Sequence, residues 1–305
     1  MLSQPVRSWV FLPIGIVAAI VGLIPWLITG MRLPLQNLWA TDSLPGRTPI
    51  ALLPFSQYTL VLLISLLLIG AAIAGIAGRA LPARRRGIAL LALTGGVLVV
   101  QLIALIQTAV TVSRGLRGGS QSNLYLIVIV GGAVLSILVG IGLIALIARA
   151  PKAGALIGLS VAAVAFSSWL TGLFFPIGSV FTASPLTSLL SQATRYSPAV
   201  LIGIAIAWCG VGSVGRAMAA IVSLLLLWVG MTAVIAVNNA LGSRALAHDP
   251  AQMLDQASGV FRSALVVPEL WLPTVGLAVG VAAVGLVARR TFTKRSRSAL
   301  PLASG

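Results

Sequence analysis

The chain has 305 residues, of which 59% are AVILMFWYC and 32 are glycine, while only 8% are Asp, Glu, Lys or Arg, against ~25% in soluble domains. So little polar material cannot coat a water-soluble globule of this size, and the composition specifies an integral membrane protein. Its 20 basic and 4 acidic residues give a net charge of +16, which in a membrane chain reads as topology rather than nucleic-acid binding. One cysteine, Cys209, and one histidine, His248, exclude a disulfide framework and a multi-histidine metal site, and no cofactor fingerprint is present.

Apolar runs of about the length needed to cross a bilayer predict an all-α, polytopic bundle of eight spans. The first, 8–29, follows Arg7 with no small-residue cleavage site after it and reads as a retained signal anchor. The loop after it contains Asp42, which in Ala-Thr-Asp-Ser has the chemistry of a turn residue, and Thr48-Pro49, which suits the start of a short helical turn. The second span, 58–78, carries small residues at four-residue spacing (Gly70, Ala74, Gly78), the pattern by which helices approach closely in lipid.

The third span, 88–113, holds the main polar amides at depth, Gln101 and Gln107. Gln101 and Thr108 lie nearly two helical turns apart and share a face. That face, with Gln107, is the candidate lining of a substrate path, and interhelical hydrogen bonding is the alternative. The fourth span, 124–148, carries Gly132, Ser136 and Gly140 on one packing stripe. The fifth is 155–175 and the sixth 198–214, preceded by a turn at Ser184-Pro185; Ala205, Cys209 and Ser213 form its small-residue stripe.

After the seventh span, 218–237, the series Asp249, Pro250 and Gln252 has the form of a helix N-cap, and Met253, Leu254, Ala257, Val260, Phe261 and Leu265 then recur at spacings of three and four. A short amphipathic helix in this outer loop is predicted. His248 reads as a loop residue. The eighth span, 271–288, brings Gly276 and Gly280 to a predicted packing face, and the basic tail 289–305 suits contact with anionic lipid at the cytoplasmic face.

Positively charged loops resist translocation. With the N-terminus inside, thirteen of the twenty basic residues, including Arg79, Arg84 to Arg86, Arg149, Lys152, Arg216 and Arg289, are cytoplasmic, and all four acidic residues fall outside. Tyr58, Tyr125, Tyr196 and Trp271 then sit where inward-going spans begin, at headgroup level.

The chain also divides into two similar sets of four spans. Gly15 and Gly158, Ala19 and Ala162, Val21 and Val164, and Trp26 and Trp169 match at a constant offset of 143. Four is an even number, so the halves would form a parallel duplication: 1–152, then 153–288, then the tail 289–305. No ionisable residue lies inside a span as drawn, which disfavours a proton-driven pump. No GxxxxGK[ST] motif serves a nucleotide.

The expected role is that of a non-enzymatic accessory or partner subunit of an envelope or transport assembly, touching other membrane proteins. A permease-like carrier of a neutral or lipid-like solute is the alternative, and an outer-face transferase using Asp42 the third. Eighteen Arg against two Lys, in an Ala/Gly/Leu-rich chain, suit a bacterial plasma membrane.

Overall fold

The computed structural model describes residues 10–34, 38–40, 48–82, 86–177, 179, 182–242 and 250–298. Among them there is no strand. Nine helices follow in order: α1 (Phe11–Leu27), α2 (Leu60–Ala80), α3 (Arg86–Gly115), α4 (Ser120–Arg149), α5 (Lys152–Phe174), α6 (Pro185–Cys209), α7 (Val214–Gly242), α8 (Pro250–Val266) and α9 (Pro268–Ser298), with a 3-10 turn at Gln57–Thr59 leading into α2. Six are long and apolar enough to cross a membrane: α2 with its leading turn, α3, α4, α5, α7 and α9. α1 is apolar but has 17 residues, about 26 Å at 1.5 Å per residue against a ~30 Å hydrocarbon core. α6 is longer, but its first half carries Gln192, Arg195 and Tyr196.

Ends of helices are tied together by arginine. Arg79 near the end of α2 donates to the Ile147 and Ala150 carbonyls at the end of α4 (2.7 and 2.9 Å), and Arg289 on α9 donates to Ala207 and Trp208 at the end of α6 (3.3 and 3.0 Å). These carbonyls lack partners in their own helices, and a cation there also meets the negative end of the helix dipole. The pairs define a basic end of the bundle. The opposite, loop end carries the long α1–α2 connection and α8.

α1 packs on α2 and α3, and α2 packs most extensively on α4; α5 packs on α6 and α7, and α6 on α9, in the same order. α5 also lies against α2, α4 and α1, joining the two sets. The contacts are close because glycines face backbone. A Cβ on Gly22 would meet the Gly70 nitrogen and the Leu66 carbonyl at 2.6 Å, and one on Gly203 the Ala278 carbonyl at 2.7 Å. Gly15 and Gly96 lie directly on the backbone of Leu93 and Leu12. Such approach lets dispersion hold helices whose apolar surfaces gain little by leaving lipid.

Gly132 and Gly140 meet α2 at Leu60 and Ala71, and buried Ser136 between them donates to the Gly132 carbonyl. Gly276 and Gly280 differ from expectation. A Cβ on either would meet nothing within 4 Å, and the close contact on α9 is made by Gly285 against Ala207. The reason is helical phase: neither glycine faces a neighbouring backbone, and Gly280 lies on the open crease between α6 and α9.

Two further expectations are revised. Ser184-Pro185 starts no separate turn but caps α6 itself: the Ser184 hydroxyl accepts from the Thr187 N–H, and the Thr187 hydroxyl accepts from the Ser184 N–H. The helix continues through Pro198, whose missing N–H would orphan the Thr194 carbonyl; the Ser197 hydroxyl donates to that carbonyl at 3.0 Å. Tyr196 therefore lies three turns inside α6 rather than at its start. Thr48-Pro49 begins no helical turn either, because Leu33 N–H bonds the Pro49 carbonyl and Ala51 N–H the Met31 carbonyl, holding the chain extended. The amphipathic helix predicted after Asp249 is present as α8; Asp249 itself lies outside the described residues.

Backbone atoms cannot swing aside as side-chain tips can, so Gly96→Ala should lower the thermal unfolding midpoint by about 5 °C or more. Gly95→Ala, one residue away and facing open space, should shift it by less than about 2 °C.

Candidate functional site

The three polar residues of the expected substrate path all contact the protein's own backbone. Gln101 lies 2% exposed and donates from Nε2 to the Leu67 carbonyl of α2 at 2.9 Å. Gln107 accepts from Leu52 N–H through Oε1 (2.9 Å) and donates through Nε2 to the Ile50 carbonyl (3.0 Å). Fully buried Thr108 accepts from Leu53 N–H at 2.9 Å. A side-chain amide carries both a donor and an acceptor, so Gln107 reads the extended chain as a neighbouring strand would.

The segment held this way is deep. Ala51, Leu53 and Phe55 are fully buried in one apolar cluster with Trp26, Leu63, Val112 and Ile129, and the Trp26 indole donates to the Ala51 carbonyl at 2.8 Å. Thr108 is seven residues from the end of α3, about 10 Å along its axis. Non-helical backbone, which here bends at Leu52 and Leu53 with Phe55 N–H bonded to the Leu53 carbonyl, is tolerated at such depth only where protein surrounds it and satisfies its polar groups.

The second set of helices borders a half-open cavity of about 490 Å³ at its own loop end. Thr171 and Gly172 of α5, Thr194 and Arg195 of α6, Asn238 of α7 and Thr274 of α9 line it, and Tyr58 of the 3-10 turn and Leu62 of α2 close the side toward the first set. It lies in the size range of small-molecule sites, ~300–1,000 Å³. Its walls are mostly apolar with a few hydroxyls. Arg195 is exposed at the rim and reaches the Glu269 carbonyl at 3.4 Å, the acceptor that Pro273 leaves without its helical donor.

A smaller cavity shares Met231, Ile235, Leu270 and Thr274 with the first. It is lined by Trp228 and Trp271, whose rings meet at 5.1 Å. Both indole nitrogens are buried and donate to no acceptor, an arrangement that costs free energy until an acceptor arrives. The two indoles line only this adjoining space of about 20 Å³, room for one water, whereas the larger cavity is an apolar chamber with Arg195, Asn238 and a few hydroxyls. The sequence reading did not single it out, because its polar residues come one to three from each of four helices and the turn before α2. The Ser167-Ser168-Thr171 cluster at the end of α5 is the one local signal.

Asp42, His248 and Asp249 lie outside the described residues. No group of three metal-binding side chains occurs among the described residues. No family model, curated protein or solved structure matches the chain.

Replacing Thr108 by Val keeps its shape but leaves buried Leu53 N–H without an acceptor. The change should cost about 1–3 kcal/mol in detergent unfolding, whereas Thr108→Ser, which keeps the oxygen, should recover most of it.

Proposed function

We propose that the protein is a non-enzymatic, multi-pass membrane protein that binds an amphiphilic, lipid-like molecule in the 490 Å³ cavity and carries it in the manner of a permease. That all-helical chain with six helices able to span a bilayer belongs in a membrane. The reading adds α1 and α6 as spans, making eight, with the basic end cytoplasmic in a bacterial plasma membrane. The cavity carries the proposal: it lies where α5, α6, α7 and α9 meet α2, so movement of residues 153–288 against 1–152 would change its access. Its donors suit a head group bearing acceptor oxygens, and its apolar wall suits a hydrocarbon chain.

The matched packing order of the two sets supports their origin by duplication, and it favours a second reading. In the first set the ends of α1, α2, α3 and α4 surround the non-helical segment Ala51–Phe55; in the second, the corresponding ends surround the cavity. An extended segment of a partner protein could occupy the second place as the chain's own segment occupies the first, giving the accessory-subunit role.

Dodecyl phosphate should raise the unfolding midpoint of the detergent-solubilised protein by several degrees, and Ser168→Trp, which fills the cavity, should abolish the increase. An unchanged response in that variant would remove the cavity from the account. A stoichiometric partner retained by the wild type and lost by Ser168→Trp, with no response to the amphiphile, would select the second reading.

A further inference from the structure

Four cations from four helices converge on the end of α6 at the basic end. Arg79 of α2 lies over the Trp208 ring at 4.9 Å, and Lys152 of α5 over the same ring at 5.8 Å. Arg289 of α9 bonds the Trp208 carbonyl at 3.0 Å. Arg216 of α7 follows Cys209, the last residue of α6, after a short connection. The α6 carbonyls and the indole offset part of this crowding, and the two acidic side chains among the described residues, Asp255 and Glu269, both lie at the loop end. Lys152 and Arg216 stand in the first turns of α5 and α7, where the helix dipole adds positive potential rather than opposing it. The cluster is therefore built to attract an anion.

An apolar groove begins at the same place. Ala207, whose carbonyl Arg289 bonds, lines it together with Ile204 on α6 and Leu277, Gly280, Val284 and Gly285 on α9. Its volume is about 500 Å³. Gly285 precedes Arg289 by one helical turn, so the groove runs from the cations along the α6–α9 crease toward the middle of the bundle. Gly280 leaves it open, since a side chain there would meet nothing within 4 Å.

We infer that this crease binds one anionic phospholipid, its phosphate among Arg79, Lys152 and Arg289 beside Trp208 and one acyl chain in the groove past Gly280. Charge complementarity selects the head, and the apolar groove continuous with it selects a lipid over a soluble anion. The site is distinct from the loop-end cavity and from the basic tail.

The test uses the full chain in detergent, titrated with phosphatidylglycerol, phosphatidylcholine or glycerol phosphate and read by bound lipid in native mass spectrometry and by unfolding midpoint. Phosphatidylglycerol should be retained in a 1:1 complex and should stabilise the protein, while the other two should do neither. Lys152→Gln should weaken retention about five-fold, Gly280→Phe should abolish it, and Arg290→Gln, an exposed neighbour outside the cluster, should change it by less than about two-fold. Gly280→Phe has space to fold, and its unfolding midpoint without lipid checks this. Equal losses for Lys152→Gln and Arg290→Gln would show diffuse attraction and overturn the site. So would stabilisation by glycerol phosphate alone, or retention unaffected by Gly280→Phe.

Discussion

Hydrocarbon offers no hydrogen bonds, so each backbone N–H and C=O that leaves regular helix inside the membrane must be satisfied by the protein. The least regular parts of this structure answer to that constraint. Gln107 and Thr108 serve the extended chain at Ile50–Leu53. Ser197 serves the carbonyl freed by Pro198, and Arg195 the one freed by Pro273. At the basic end, Arg79 and Arg289 serve the last carbonyls of α4 and α6. These polar side chains thus have identifiable structural partners, whereas the buried indole N–H groups of Trp228 and Trp271 have none.

The two chambers at the loop end differ in what fills them. In one, Ala51–Phe55 provides both the apolar bulk and the backbone groups that Gln107 and Thr108 require. In the other, Thr171, Asn238 and Thr274 border an open cavity. The same packing order of helices therefore supports a self-filled plug on one side and a candidate binding chamber on the other, and the functional proposal rests on that contrast.

Much of the architecture was legible because membrane crossing imposes length and polarity on a sequence directly. The run Leu60–Gly78 is uninterrupted by charge, and Arg79 marks its end. Burial of a loop carries no such signature. Ala51–Phe55 lies in a connection between spans, and only the distant Gln107 and Thr108, 55 residues on, show why it folds inward. Glycine stripes were legible as small surfaces but not as contacts: Gly140 faces α2 and Gly280 faces outward, a difference of helical phase that spacing cannot express. The capping box at Ser184 was visible as Ser-Pro, yet the helix it starts crosses Pro198, because Ser197 satisfies the carbonyl that a proline normally strands.

Amide hydrogen exchange of the protein in detergent or nanodiscs, resolved to the Ile50–Phe55 segment, tests the central claim most directly. Leu52 and Leu53 N–H should exchange as slowly as amides in the middle of α2, since both are bonded and enclosed. Exchange at the rate of an exposed loop would contradict the account, because the deep non-helical chain and the polar residues assigned to hold it would then not be the structure in solution.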